Sequence, residues 1–362
     1  MSKYVSKAAF AAVALIASAA PVVAQTTLTP AVKDLAALAA KDKEMTVTWS
    51  NSTMGGQKGA KAFETGINKM FGIDIKVSWA PGDSMPNVGN QIAMSAQNNL
   101  PSPTDVYMGF SRNMAVLLDR NLFHSAPWSS YFPDRLTSEV VEQDTYVKVV
   151  SATLGFTYNS ALAPSKPDKL EDFLKPEWKG KFATTAFAAG FDQIASKEAW
   201  GAEKTIAFAK KFSDGAAGFM RCNEMGRLSS GEFLALVTDC SGDSAREFAR
   251  TKGAPLVRVV APDVPLVSYF YFAVPKNGRS SNLGKLFVAF ALTKEGQAVI
   301  REQTFGDLHL FPDSIVKDEV AKAEKIAGKK FGSGDIAWQK TNAAGNAAQQ
   351  EVAKIFAAGS KK

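Results

Sequence analysis

Residues 147–158 read VKVVSATLGFTY, a β-rich run longer than one sheet edge requires, and residues 266–274, LVSYFYFAV, form a second run of similar length. Two such runs bracketing residues 158–266 describe a chain that leaves one lobe, builds another and returns. Outward from this pair, the N-terminal side alternates strand and helix. Residues 30–42 carry helical spacing of Ala31, Val32, Leu35 and Leu38, with Thr29 placed to cap the first turn. Strands follow at 45–49, 73–79 and 104–108, separated by helices over 57–71 and 87–98. A β-α-β-α-β series implies a mainly parallel sheet covered by helices. Between the long runs, strands are expected at 182–185, 218–221 and 234–238, with helices at 193–211 and 230–234. Everything after residue 284 is expected to be helical and to dress the first lobe. The fold class is α/β: two doubly wound lobes joined by two crossover strands.

The first 24 residues read as a secretory signal peptide. Lys3 and Lys7 precede an apolar stretch over 8–20, and Val22-Val23-Ala24 offers small residues for cleavage before Gln25. With Pro21 interrupting it, that stretch is short for a membrane span of about 20 residues. The expected divisions are signal 1–24, first lobe 25–154, second lobe 155–266, and 267–362 returning to the first lobe. Removing Lys3 and Lys7 lowers the formal charge of the 362-residue chain from +7 to +5. The remaining lysines are interspersed with acids, as at Lys317-Asp318-Glu319, so no basic stripe for nucleic acid is present. A hydrophobic content of 46% and a charged content of 21% exclude a disordered or coiled-coil chain.

One stretch carries a resemblance. Residues 154–185, LGFTYNSALAPSKPDKLEDFLKPEWKGKFATT, are similar to the first-crossover region of periplasmic solute-binding proteins of ABC importers. The type II group, with ferric-iron, thiamine, polyamine and phosphonate binders, is the one they resemble. The carrying residues are Gly155, Tyr158 and Asn159; Pro176 with Trp178 to Lys181; Ser230-Gly231-Glu232 before an apolar strand; and residues 293–297 in the C-terminal helices. The resemblance implies a periplasmic protein, a monomer without cofactors. It would capture a small polar or charged solute between its lobes and deliver it to an inner-membrane permease with a cytoplasmic ATPase. Trp178 is expected to pack, and Gly180 to allow a loop conformation other residues resist.

In parallel sheets, ligands bind beyond the carboxyl ends of the strands. Ser50, Asn51 and Ser52 occupy that place after the first strand and suit an anion. Phe110, Ser111 and Arg112 occupy it after the third, where Arg112 would pair an acid. From the second lobe, Thr184, Thr185 and Asn223 are expected to face the opening. Asp239 and Asp243 would suit a cation there, which leaves the solute's charge open. Tyr269 and Tyr271 share one face of a strand, as packing residues or as contacts. Ferric-iron binders of this group carry adjacent tyrosines in the region of residues 239–243, and this chain has none there; an iron-binding variant remains an alternative. Residues 229–232 read as a capped helix start. Cys222 and Cys240 both follow strands, and a bridge between them is expected in an oxidising compartment. A periplasmic enzyme is the alternative of another class. It finds little support: His124 and His309 stand alone in aromatic or apolar surroundings, and no Gly-x-Ser-x-Gly or phosphate-loop spacing occurs.

Overall fold

A computed structural model describes residues 26–135 and 138–359; the expected signal peptide lies outside them. The strands are β1 Glu44–Trp49, β2 Lys76–Pro81, β3 Tyr107–Phe110, β4 Val141–Glu142, β5 Tyr146–Thr153, β6 Gly155–Asn159, β7 Phe182–Thr184, β8 Gly218–Phe219, β9 Ala235–Val237, β10 Leu256–Val260, β11 Leu266–Ala273 and β12 Gly332–Gly334.

They form two assemblies. In the first lobe β1 pairs parallel with β2, and a parallel bridge from Val47 to Val106 carries this pair to β3. β3 and β5 both run antiparallel to β11, with β4 antiparallel to β5 and β12 parallel to β11. The sheet is therefore mixed, because the returning strand β11 is inserted beside β3. The second lobe has the order β10-β6-β9-β7-β8, antiparallel at β10-β6-β9 and parallel at β9-β7-β8.

The run 147–158 is two strands, not one. β5 lies in the first sheet and β6 in the second, with Leu154 alone between them. The break falls at Gly155, where a Cβ would sit 2.2 Å from the Val259 carbonyl oxygen. The return path is the turn 261–265 between β10 and β11.

Burial explains both cores. The helix Ser281–Ala291 is largely apolar, with Leu283, Leu286, Phe287, Val288 and Phe290 fully buried. Phe63, from the amphipathic helix Gly56–Phe71, stacks on Phe287 at 4.3 Å. Thr29 accepts from the Val32 N–H and starts the helix Pro30–Asp42. In the second lobe Phe156, Phe173, Trp178, Phe182 and Phe212 form one aromatic cluster. Trp178 is fully buried, its Nε1 donating to Ser165 Oγ at 3.1 Å.

Three expectations are corrected. Residues 229–232 end a helix instead of starting one: Met225–Ser229 is helical, and Gly231 at φ +82° turns the chain out. The single helix expected over 193–211 is two, Phe191–Ile194 and Ala202–Gly215. The last helix, Ala343–Gly359, leaves the first lobe and packs on both of these, adding Val352 and Phe356 to the second core.

Candidate functional site

A cleft separates the two sheets. Its wide chamber, about 850 Å³, is walled by Ser52, Thr53, Met54, Met108, Val150 and residues 303–305 of the first lobe. Residues 219–224 and the start of the helix Asp243–Lys252 face it from the second. A narrow chamber of about 340 Å³ continues against the first crossing, lined by Ala152, Thr153 and Leu154. Met85, Phe187, Cys240 and Phe270 border both chambers.

Several expected residues lie on this cleft. Ser52 and Asn223 line the wide chamber, and Phe110 and Arg112 the narrow one. Ser50 borders an adjoining recess with Asp83 and Ser84. Residues 50–53 form a turn in which Ser50 Oγ shares hydrogen bonds with Ser52 and Thr53 hydroxyls, at 3.2 and 2.8 Å. Asn51 is exposed and borders none of these spaces. Arg112 lies over the Phe110 ring, and its Nη1 donates to Gln349 Oε1 at 2.8 Å.

Others are turned away. Ser111 is fully buried, its hydroxyl bonded to both the N–H and the carbonyl of Tyr269. Thr185 accepts from the Ala189 N–H, and Thr184 bonds Thr238. Asp239, expected at the opening, is buried beneath it, accepting from Thr157 Oγ1 at 2.7 Å and from Arg258 Nε at 3.3 Å. Tyr269 and Tyr271 point into the first lobe's core. Tyr269 stacks on His309, and the Tyr271 hydroxyl donates to Glu142. Burial holds both phenols well above the ordinary tyrosine range. Strand alternation therefore gives the cleft Phe270, the residue between them. His309 is likewise a core residue, its Nδ1 sharing a hydrogen bond with Ser151 Oγ at 2.7 Å, and burial lowers its pKa to about 4. His124 lines neither chamber.

The wide chamber is mixed in charge. Arg221, Glu224 and Arg227 face Asp243 and Glu247. Arg227 pairs with Glu224 and Glu232, and Asp243 with Arg246. Burial pushes the Asp243 carboxyl up to about 6 despite Arg246 and Arg258 nearby. Behind it lies an ionic network joining the lobes: Arg246 donates to Glu319 at 2.8 and 2.7 Å, and Arg258 donates to Glu319 at 3.1 Å and to the Thr153 carbonyl at 2.7 Å.

Cys222 and Cys240 are bridged, with Cα atoms 6.0 Å apart. The bridge fixes a loop in which Thr238, Cys240, Ser241 and Gly242 all have left-handed φ. Such conformations are costly for Thr, Cys and Ser and persist where surroundings hold them. Among the described residues no cluster of three His, Cys, Asp or Glu side chains is placed to hold a metal, and no tyrosine lines either chamber.

The polar residues at the strand ends leave out the apolar wall of the cleft: Met54, Met85, Met108, Phe187, Phe219 and Phe270. Only the alternation of β11 could have exposed one of these, by offering Phe270 as the opposite face to the tyrosines.

With two lobes, two crossings and a cleft in place, the relatives are informative. A model of the family described as bacterial extracellular solute-binding protein matches residues 103–334. The chain belongs to this family. The Fe(3+)-binding periplasmic protein of Serratia marcescens is 26% identical over 258 residues, covering 67% of this chain and 72% of that one. Iron-bound HitA from Pseudomonas aeruginosa superposes with a TM-score of 0.62 at 17% identity, over 86% of this chain and 99% of that one. The substrate-binding protein of an ABC transporter from Agrobacterium tumefaciens gives 0.68 at 16% identity, over 94% and 100%. The fold is that of type II periplasmic binding proteins. Residues that carried the resemblance do structural work in this solute-binding protein. Asn159 Nδ2 donates to the Leu228 carbonyl, Thr293 caps the helix Lys294–Thr304, and Gln297 Nε2 donates to the carbonyls of Val149 and Ala291. No helix among the described residues is long and apolar enough to cross a membrane.

Proposed function

We propose that this solute-binding protein is the periplasmic substrate-binding component of an ABC importer, delivering one small solute unchanged to an inner-membrane permease with a cytoplasmic ATPase. The carrying observation is the cleft: both sheets wall it, the first crossing lies at its back, and the second is bonded to the first through Ala261 and Leu154, so a rotation confined to a few crossover residues would close it. The lobes would comprise residues 25–154 with 267–341, and 155–266 with the last helix. Ser52, Phe110, Arg112 and Asn223 would contact the solute, joined by Met85 and Phe270 from the apolar wall. Methionine and aromatic walls beside a chamber lined by charges of both signs suit an organic solute with an apolar body and a polar or charged end.

Small-angle scattering with a library of amines, organic acids, phosphonates and ferric citrate tests this. One class is expected to lower the radius of gyration and raise the melting temperature without turnover. A library that produces neither effect removes the reading. The Serratia relative supports a second reading, ferric iron. Against it stands a cleft without phenols, where Glu224, Asp243 and Glu247 would be the hard donors. A visible phenolate-to-iron absorption band on adding ferric citrate would establish a tyrosine site and overturn this account of the cleft.

A further inference from the structure

Most buried polar side-chain atoms in folded proteins have partners, so unpartnered ones beside a cavity call for explanation. Thr153 Oγ1 and Gln193 Oε1 are both buried without a hydrogen-bond partner, and both residues line the narrow chamber. The residues are 2% and 5% exposed, respectively. They come from opposite lobes, Thr153 from the end of β5 and Gln193 from the helix Phe191–Ile194.

We propose that the narrow chamber binds a hydroxyl group of the solute through Thr153 and Gln193, and holds an apolar carbon skeleton against the rest of its wall. This inference rests on the solute-binding reading above and names the chemistry of one end of the solute. An amide oxygen accepts only, whereas a threonine hydroxyl can donate. A solute hydroxyl brought between them as the lobes close would satisfy both, donating to Gln193 Oε1 and accepting from Thr153. A carboxylate would set its oxygens against Gln193 Oε1. An ammonium would leave the Thr153 proton unused and meet Arg112.

The charged groups facing the chamber are already engaged. Arg112 donates to Gln349, and Asp192 Oδ2 accepts from Gln339 Nε2 at 3.2 Å. The remaining wall is largely apolar, with Pro86, Phe110, Leu154, Phe187 and Phe270 prominent. One water occupies roughly 30 Å³, so about 340 Å³ leaves room for a ring or short chain beyond the hydroxyl.

Benzyl alcohol and toluene differ by the one group in question. Binding of each to the whole protein is followed by NMR, with contacts to the Ala152 and Leu154 methyls reporting occupancy of the narrow chamber. The wild type is expected to bind benzyl alcohol about tenfold more tightly than toluene, the value of one buried hydrogen bond. Thr153→Val and Gln193→Leu should each abolish that preference, and Thr153→Ser should keep it. Thermal unfolding of each variant verifies that it is folded. Equal affinities in the wild type, contacts confined to Met54 and Met220 of the wide chamber, or a preference that survives both substitutions would overturn the proposal. If a library solute compacts the protein with unchanged affinity in both variants, the transport role stands and this subsite falls. If no solute compacts the wild type, it is the transport role that falls.

Discussion

The first crossing, from β5 to β6, is one residue long and gripped by polar side chains. The second, residues 261–265, is a turn bounded by Pro262 and Pro265 and held by backbone bonds. Around the first, Arg258 donates to the Thr153 carbonyl, the Ser151 hydroxyl meets His309, and the Asp239 N–H donates to the Gly155 carbonyl. In the second, Ala261 donates to Leu154 and accepts from Val264, while Pro265 accepts from Gly332. Its one ionisable side chain, Asp263, meets only backbone, its own N–H and that of Leu170, and no cation among the described residues pairs with it. The same geometrical task is thus done once by a charge network and once by chain stiffness. The two should respond differently to mutation, reduction and pH.

The largest expected effect is at Arg258. Its alanine variant leaves Asp239, whose side chain is fully buried, without its cation, and breaking such a pair costs about 3–5 kcal/mol. Urea unfolding should show that loss, and the double variant with Asp239→Ala should recover part of it. A loss below about 1 kcal/mol would mean the network does not hold the first crossing. Next is the disulfide, which pins the loop behind that crossing. The Cys222→Ser, Cys240→Ser pair should lower stability by about 3 kcal/mol, as expected for closing a loop of 18 residues. An unchanged urea midpoint would remove the bridge from the comparison.

Acid and base should then separate the crossings. Burial lowers His309 from 6.5 to about 4, so between those values the unfolded chain binds more protons. Stability from the neutral ring is present above pH 6.5 and lost as pH falls, by up to about 3 kcal/mol. Burial raises Asp263 from 3.8 to about 6, so there the folded chain binds more protons. Its contribution is present at low pH and lost as pH rises through that window. His309→Asn should flatten the acid limb of the stability curve, whereas Asp263→Asn should raise stability at pH 7 with little effect at pH 4. Identical pH profiles for both variants would erase the distinction. The smallest effect belongs to the exposed Lys340–Asp119 pair at 3.0 Å, where Lys340→Ala should cost no more than about 0.5 kcal/mol.

The first crossing was visible in the sequence as a long β-rich run, but its division was not; the second run, 266–274, lies wholly in the first sheet as β11, and the crossing is the turn before it. Every residue of β5 and β6 is buried, so there is no alternation to mark a change of sheet, and the break is set by how closely the Val259 backbone approaches Gly155. Strand ends located the cleft correctly, since Ser52, Phe110, Arg112 and Asn223 all border it. Polarity was a poorer guide. Ser111, Thr185 and Asp239 serve the protein's own polar groups and leave much of the wall to methionine and phenylalanine. Choosing Tyr269 and Tyr271 over Phe270 was a choice of parity, which a single strand cannot settle until the neighbouring sheet shows which face is open.

The helix Ala343–Gly359 has a consequence for the order in which the molecule can be made. The first lobe needs β11 and the helix Ser281–Ala291 to close its core, and the second needs Val352 and Phe356. The second lobe therefore cannot close its core until this helix has been made, whereas every residue of the first lobe's core precedes it. The lobe begun first is thus also the first to have all its core residues made, and the lobe inserted into it is the later to close.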